Sequence, residues 1–408
     1  MTASSASNRP ASVDETLALV MANIPVLGTE AVPLGEALGR VLREPVCAPE
    51  DQPAFDRSSM DGYAVRTDDN AMRIHVVDCI RAGDWKSRQL ARGEAVQIAT
   101  GGALPGDGLR VVRQEEVHVD GAEIVILRCE EARNIRFRGE DARAGAVLVT
   151  EGTTLSSGAL ALLASIGCVR PVVTRLPRVL HLATGSEIVA PDQIPQRGQI
   201  RDSNSTLVRA FLNQWGIEPR QLRVTEDEVQ GRSVLAGPLS ETPPPDLLLL
   251  SGGASVGEHD FTRGVLEECG FTIHVSRTAT RPGKPLIFAT RGAVVAFGLP
   301  GNPLAHFVCL NLYVRAALEI SRGRPAAPAF VRGALAEEFR AEANSRETLW
   351  PARLAVANGG VGLTLLPWRS SGDLTSLATA NALVRIPPDC GTLARGTVIE
   401  FAATFPFA

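Results

Sequence analysis

The chain has 408 residues, 45% hydrophobic and 21% charged, an ordinary globular balance and enough for two or more cores. A formal charge of −4 supplies no global basic field, which argues against a nucleic-acid partner and leaves any anion to a local cluster of donors. Seven scattered cysteines, never in C-x-x-C spacing, read as reduced buried thiols, which suits the cytoplasm and argues against a structural zinc site.

The polar opening "MTASSASNRPAS" lacks an apolar core and reads as a frayed tail rather than a signal peptide. No uninterrupted apolar run approaches membrane-spanning length. Ser12 to Glu15 fits a capping box, with Leu17, Val20, Met21 and Ile24 on the helical face behind it. A second helix is predicted over residues 34–42. From Pro53 onward, short alternating stretches such as "RIHVV" and "EIVIL" are separated by Gly and Asp turns, the texture of a β insertion. Residues 156–166 return to a helical pattern that stops at Gly167, placed as a C-terminal glycine cap.

Next come "RVLHLATGSE", "DLLLLSGGASVGEHD" and "GAVVAFGLPGNP", each an apolar strand running into a glycine turn. Buried strands alternating with helices indicate a parallel α/β sheet, whose ligands bind at the carboxyl ends of the strands. Asn302 is placed as a helix cap with Pro303 behind it. The short strands "VRGAL", "GLTLLP" and "TVIEFAA" predict a small C-terminal β domain.

"GASVG" (253–257) matches the G-x-S-x-G nucleophile elbow and raises a serine hydrolase using Ser255. Such an enzyme needs a later acid and histidine. Only His259, His274 and His306 follow, none beside a convincing acid-bearing loop. The glycines alone explain a turn whose backbone N–H groups bind an anion. "TRPGKPLIF" lacks the upstream glycine of a phosphate loop, yet Arg281 and Lys284 flank a rigid turn that suits an oxyanion. A solvated turn explains the same spacing. Carboxylates recur at turns, at Asp61, Glu140, Asp141, Glu187, Asp227, Glu258 and Asp260. Gathered in space they would hold a hard divalent cation such as Mg²⁺; singly, each is a turn former. No histidine pair has metal-ligand spacing, so His181 and His306 read as packed or surface residues.

The stretch "FDRSSMDGYAVR" (55–66) resembles the signature of the MoeA/gephyrin family. So do "IATGGALPGDG" (98–108), "NIRFRGED" (134–141), "ATGSEI" (183–188), "IRDSN" (200–204), "SGGASVGEHDF" (251–261), "RPGKPL" (281–286) and "GLPGNP" (298–303), in the family's order over nearly the whole chain. The length leaves room for the transferase part alone, without a gephyrin-type fusion. The resemblance implies the last step of molybdenum cofactor synthesis: insertion of molybdate into adenylylated molybdopterin with release of AMP, assisted by Mg²⁺. It also implies a homodimer with a shared active-site cleft, with the upstream molybdopterin adenylyltransferase as a candidate partner. The implied fold is α/β and multi-domain. An elongated helical domain (1–50 and 145–177) carries a β-rich insertion (51–144), and a parallel-sheet α/β molybdopterin-binding domain (178–326) and a small C-terminal β-barrel (327–408) follow.

Carried over by motif, the resemblance implies catalytic roles for Asp61, Thr100, Asp141, Glu187, Asp227 and Asp260, with Glu187, Asp227 and Asp260 also as metal ligands. Substrate contacts fall on Ser251, Gly252, Gly253, Ser255, Gly257, Gly283, Pro300, Gly301 and Asn302. Molybdate falls to Arg281, Lys284, Arg353 and Ser371. Asp61 would be presented to the partner's pterin-phosphate site, while Tyr63 and Val65 resume packing. Some positions depart from the family. Gly-Ser-Glu stands for Gly-Asp-Glu at 185–187, Phe261 for tyrosine and Arg281 for lysine. Leu109 replaces an acid, and Arg277 replaces another lysine. A non-catalytic pterin carrier and a tungstate-specific paralogue remain alternatives, because intact motifs do not separate them from the enzyme.

Overall fold

The computed structural model describes residues 9–128, 131–224, 228–252, 258–324, 330–341, 344–357 and 360–404. The chain falls into two compact units, one of Met1–Glu30, Gly39–Val41 and Thr174–Ala408, the other of Ala31–Leu38 and Leu42–Val173.

Helix α1 (Val13–Asn23) in the first unit starts with the predicted box. Ser12 Oγ accepts from Glu15 N at 3.1 Å and Glu15 Oε2 accepts from Ser12 N at 2.9 Å, so two N–H groups that a helix end leaves orphaned are satisfied reciprocally. The helix expected over 34–42 does not form. A single 3₁₀ turn, Leu34–Glu36, stands there, because Pro33, Gly35 and a left-handed Gly39 (φ 71°) break the run.

The second unit is built on six strands: β1 (Gly62–Arg66), β2 (Arg73–Ile80), β3 (Glu94–Ile98), β4 (Leu109–Arg113), β5 (Val117–Asp120) and β6 (Glu123–Ile126). They lie in the order β4-β1-β3-β2-β6-β5, antiparallel except for β2 beside β3. Alternation divides β1 between two cores. Ala64 packs with Ile80, Val96 and Val111, whereas Tyr63 and Val65 pack with Ile74, Val112 and Ile124. The predicted β texture and the packing of Tyr63 and Val65 are both found. Helix α2 (Ser157–Ser165) ends as read: Gly167 is left-handed (φ 74°) and its N–H reaches the Ala164 carbonyl at 3.1 Å.

The first unit holds β7 (Val179–Thr184), α3 (Asn204–Asn213), β8 (Arg220–Val224), α4 (Glu228–Ser240), β9 (Leu247–Ser251), α5 (Glu258–Glu268), β10 (Thr272–Val275), β11 (Ile287–Arg291) and β12 (Val294–Leu299). The sheet order is β8-β7-β9-β12-β11-β10. Every residue of β7, β9 and β12 is buried, the pattern of strands covered on both faces. Leu247 and Leu249 face one core with Phe288, Phe297 and Tyr313. Leu248 and Leu250 face the other with Leu180, Leu182, Leu235 and Leu266. The sheet is mixed rather than wholly parallel: β8, β7, β9 and β12 run parallel, while β11 is reversed and pairs antiparallel with both β12 and the edge strand β10. Only a two-residue turn, Gly292 (φ 58°) and Ala293, joins β11 to β12, and so tight a link forces a hairpin. Asp246, just before β9, takes Arg175 Nη1 and Nη2 at 2.7 Å each and Arg178 Nη2 at 3.0 Å. Burial raises its pKa, but the Arg175 and Arg178 hydrogen bonds outweigh that and hold the carboxyl well below its ordinary range.

Helices α6 (Pro303–Cys309) and α7 (Arg315–Ser321) join through a π turn, Leu310–Val314. Among the described residues the stretch Pro303–Ser321 alone has the length and composition to cross a membrane, yet 89% of it is buried within the structure. Its side chains serve the core with Phe288, Phe297 and Leu249. At about 1.5–3 kcal/mol for each large apolar side chain buried, that packing accounts for the composition.

Five strands follow: β13 (Val331–Leu335), β14 (Glu347–Ala357), β15 (Gly360–Leu365), β16 (Ala382–Ile386) and β17 (Val398–Ala403). Pairing runs β14-β15-β13-β17-β16 and returns to β14, so the predicted small barrel is a closed five-stranded one. Closure leaves no free edge, and Leu354, Leu363, Val384 and Phe401 fill its interior.

Candidate active site

In the first unit the carboxyl ends of β7, β9 and β12 open into a cleft of about 910 Å³. Its floor is set by backbone. Ser251 ends β9, and Gly252 turns at φ 103°, where a Cβ would meet the Thr184 carbonyl oxygen at 2.3 Å. Only glycine fits there. Gly301, after β12, lies where its own Cβ would come within 3.9 Å of the Gly252 Cα. Asn204 Nδ2 donates to the Gly301 carbonyl at 2.8 Å.

One wall is the turn carrying Arg281 and Lys284. Thr278 Oγ1 donates to the Gly283 carbonyl at 2.8 Å and lies 2.7 Å from Thr280 Oγ1. Thr278 N donates to the Lys284 carbonyl at 2.9 Å. The Arg281 guanidinium stands over the Trp368 ring, 5.1 Å from its centroid, a cation–π contact. The opposite wall comes from the barrel through Trp368, Arg369, Ser370 and Ser371. Asn302 occupies the cap position of α6 without capping it; its Nδ2 donates instead to Ser371 Oγ at 2.8 Å. The predicted Asn302 cap is therefore corrected: the side chain ties the strand-end turn to the barrel loop.

Arg201, Arg281, Lys284, Arg346 and Arg369 line the cleft against the acids Glu187 and Asp202. Five cations against two acids leave an excess of three positive charges in a chain whose formal charge is −4, the local donor cluster that an anion requires. Asp202 is 5% exposed. Its Oδ1 accepts Ser205 N at 2.9 Å, and its Oδ2 accepts Ser205 Oγ at 2.7 Å and Arg223 Nη2 at 3.1 Å. Burial pushes its pKa up, but the Ser205 and Arg223 bonds win and lower it, so Asp202 is anchored as a carboxylate at the start of α3.

Of the expected contacts, Glu187, Ser251, Gly252, Arg281, Gly283, Lys284, Pro300, Gly301, Asn302 and Ser371 all line this cleft. Arg353 does not. It is exposed on β14 opposite Thr364 and is absent from the lining. Arg277 is exposed and likewise absent from it. Asp227, Gly253, Ser255 and Gly257 lie outside the described residues, as does the side chain of Asp260 on α5. Among the described residues, no three His, Cys, Asp or Glu side chains form a metal cluster. Of the expected Mg²⁺ set only Glu187 is described, and one carboxylate does not make a magnesium site.

The second unit gathers the other three motifs. Thr100 N donates to Asp61 Oδ1 at 2.7 Å, Arg138 N to Asp56 Oδ1 at 2.7 Å, and Ser59 N to the Asn134 carbonyl at 3.0 Å. Asp141 pairs with Arg136. Asp61, Thr100 and Asp141 are all exposed. The aspartates and serines of 56–61 thus fix a loop against two neighbouring loops and still leave Asp61 accessible. Sequence reading missed Arg346, Trp368, Arg369 and the acid Asp202. Asp202 sat inside a quoted motif, "IRDSN", as the residue three before a helical serine, a visible capping signal.

A strand-end cleft on a mixed α/β sheet and a closed five-stranded barrel define the class: a MoeA-like multi-domain protein. Residues 11–167 match the MoeA N-terminal region (domain I and II), 181–320 a probable molybdopterin binding domain, and 332–403 the MoeA C-terminal region (domain IV). A molybdopterin molybdenumtransferase of Nostoc sp. is 33% identical over 401 residues, covering 92% of this chain and 90% of that protein. The protein of that name from Bacillus subtilis is 32% identical over 371 residues, covering 88% and 86%. The crystal structure of the molybdopterin biosynthesis MoeA protein from Pyrococcus horikoshii superposes with a TM-score of 0.81 at 28% identity, covering 98% of this chain and 100% of that one. This chain belongs to the molybdopterin molybdenumtransferase family.

Proposed function

We propose that this chain transfers molybdenum: it binds adenylylated molybdopterin in the strand-end cleft, takes up molybdate beside it and releases AMP. The observation that carries the reading is the ring of five cations around a glycine-floored cleft. Phosphate oxygens approach the Gly252 and Gly301 backbone closely because neither turn carries a side chain. Arg281 and Lys284 offset the charge that develops on the phosphate as AMP leaves, which lowers the barrier by fixed electrostatics. The Asn302–Ser371 bond holds the barrel loop beside them, so the Ser371 hydroxyl can orient the oxyanion. Glu187, with Asp227 and Asp260, is our proposed Mg²⁺ set; the cation would supply charge stabilisation at the same phosphate. The setting is the cytoplasm.

Purified protein given adenylylated pterin, Mg²⁺ and molybdate should release AMP in proportion to enzyme and only with molybdate present. Pterin binding without AMP release would leave the carrier reading in its place, and response to tungstate alone would favour the paralogue. The hydrolase reading requires Ser255 to be labelled by an active-site serine probe.

We place Asp61, Thr100 and Asp141 in the same reaction, presented by a second copy of the chain in a homodimer. Coexpressed Asp61→Asn and Lys284→Ala chains should regain about half of the wild-type activity per site in mixed dimers, although each variant alone is impaired. Mixed dimers that stay inactive would show that one chain must carry both clusters.

A further inference from the structure

Beneath the cleft floor lies a buried polar chain whose two histidines have no part in the transfer as proposed above. His181 (on β7) and His306 (on α6) are both 0% exposed, and Ser251 between them is 2% exposed. His181 Nε2 is 2.6 Å from Ser251 Oγ, and Ser251 Oγ is 3.5 Å from His306 Nε2. Gln221 Nε2 is 3.0 Å from His181 Nδ1 and also donates to the Ser205 carbonyl at 2.8 Å. His306 Nδ1 is 3.0 Å from the Pro300 carbonyl.

The partners fix every proton. An amide NH₂ only donates, and a carbonyl only accepts. Gln221 Nε2, already identified as the amide nitrogen by its bond to a carbonyl, therefore donates to His181 Nδ1, and His181 carries its proton on Nε2 and donates to Ser251. His306 must donate from Nδ1 to Pro300, which leaves Nε2 as a lone pair that accepts the Ser251 hydroxyl proton. Burial keeps both rings neutral: it lowers His181 to about 3, helped by His306, and lowers His306 to about 4. The chain thus runs in one direction, from Gln221 through His181, Ser251 and His306 to Pro300, and it joins three of the cleft-forming strand ends.

We propose that His181 and His306 are positioning residues held as opposite neutral tautomers, turning the Ser251 hydroxyl proton away from the ligand and fixing the Pro300–Gly301 turn against the cleft. Ser251 then offers substrate its backbone and no O–H donor, and His181 cannot act as a base toward it, because its Nε2 is already protonated. The proposal takes the cleft as the substrate site; the tautomers can be measured without that assumption.

Nitrogen NMR of the full chain labelled at histidine Nδ1 or Nε2 decides it, with His181→Gln and His306→Asn used to assign signals. At pH 7 His181 should show a protonated Nε2 and bare Nδ1, and His306 the reverse. A protonated Nδ1 on His181 would overturn the proposal and make Ser251–His181 a base–hydroxyl pair instead. Kinetics provide the second arm. Asparagine at 306 can still donate to Pro300 from the Nδ1 position, whereas glutamine reaches only the Nε2 position. His306→Asn should keep KM for adenylylated pterin within about twofold of wild type, and His306→Gln should raise it about fivefold or more, the scale of one lost hydrogen bond. Equal KM values for the two, with both folded, would mean that the Pro300 tie positions nothing.

Discussion

Lys284→Ala is expected to raise the molybdate concentration for half-maximal AMP release by about tenfold or more. Lys284 is exposed at the cleft wall on a turn framed by Thr278 and Gly283, where its ammonium can reach a bound dianion. A hydrogen bond to a charged group is worth about 1.5–3 kcal/mol, and 1.4 kcal/mol is a tenfold change in affinity. Arg353→Ala should leave the molybdate curve where it was, because Arg353 points from β14 outside the cleft. Affinity for adenylylated pterin should change less than molybdate dependence in Lys284→Ala, and high molybdate should partly rescue it. The measurement is a molybdate titration of AMP release for wild type and both variants. Superimposable wild-type and Lys284→Ala curves would move the anion off this turn. A shifted Arg353→Ala curve would return Arg353 to the site by some route other than the cleft lining.

That contrast shows where sequence reading stops. Arg281 and Lys284 were legible because a Pro-Gly turn before an apolar strand is a local feature, and their joint placement follows from a few residues of chain. Arg346, Trp368 and Arg369 reach the same cleft from the barrel, which has its own core, and nothing local in "LPWRSSG" announces a partner more than eighty residues upstream. Arg353 lies off this cleft for the related reason that strand alternation, with a period of two, decides which face a side chain takes. Its neighbours Ala352 and Leu354 went inward, so Arg353 went out.

The α/β domain repeats the lesson at the level of the fold. Strands β7, β9 and β12 were readable as buried because each is apolar throughout. Their parallel pairing was expected and is found, but the reversal of β11 beside β12 was not, since a strand covered on both faces looks the same whether its neighbour runs parallel or antiparallel. The missed signal was the length of the link, two residues with a left-handed Gly292, which no crossover can use. His181 and His306 were read as packed or surface residues and both are buried, yet the serine between them comes from a third element, and only the fold brings the three together.

Gly252→Ala and Gly301→Ala should separate two demands that the cleft floor makes on its glycines. At Gly252 a Cβ would sit 2.3 Å from the Thr184 carbonyl oxygen and 2.5 Å from Thr184 Oγ1, at φ 103°. Backbone cannot retreat as a flexible side chain does, so the turn must shift. Left-handed strain costs about 1–3 kcal/mol, and overpacking costs a further 1–3 kcal/mol. Gly252→Ala should therefore lose about 2–6 kcal/mol of stability, on the strength of those two terms, and lose substrate binding with it. At Gly301 the same probe atom meets nothing nearer than 3.9 Å, and the backbone is not left-handed. Gly301→Ala should change stability by no more than about 0.5 kcal/mol, like other unstrained surface replacements. It should nevertheless weaken adenylylated-pterin binding, because Gly301 lines the cleft and the added methyl group holds the ligand off the backbone. Urea unfolding and substrate affinity, measured on both variants, test the pair. A Gly252→Ala protein as stable as wild type would mean that this turn rearranges freely. A Gly301→Ala protein with unchanged affinity would place the substrate phosphate away from the β12 strand end.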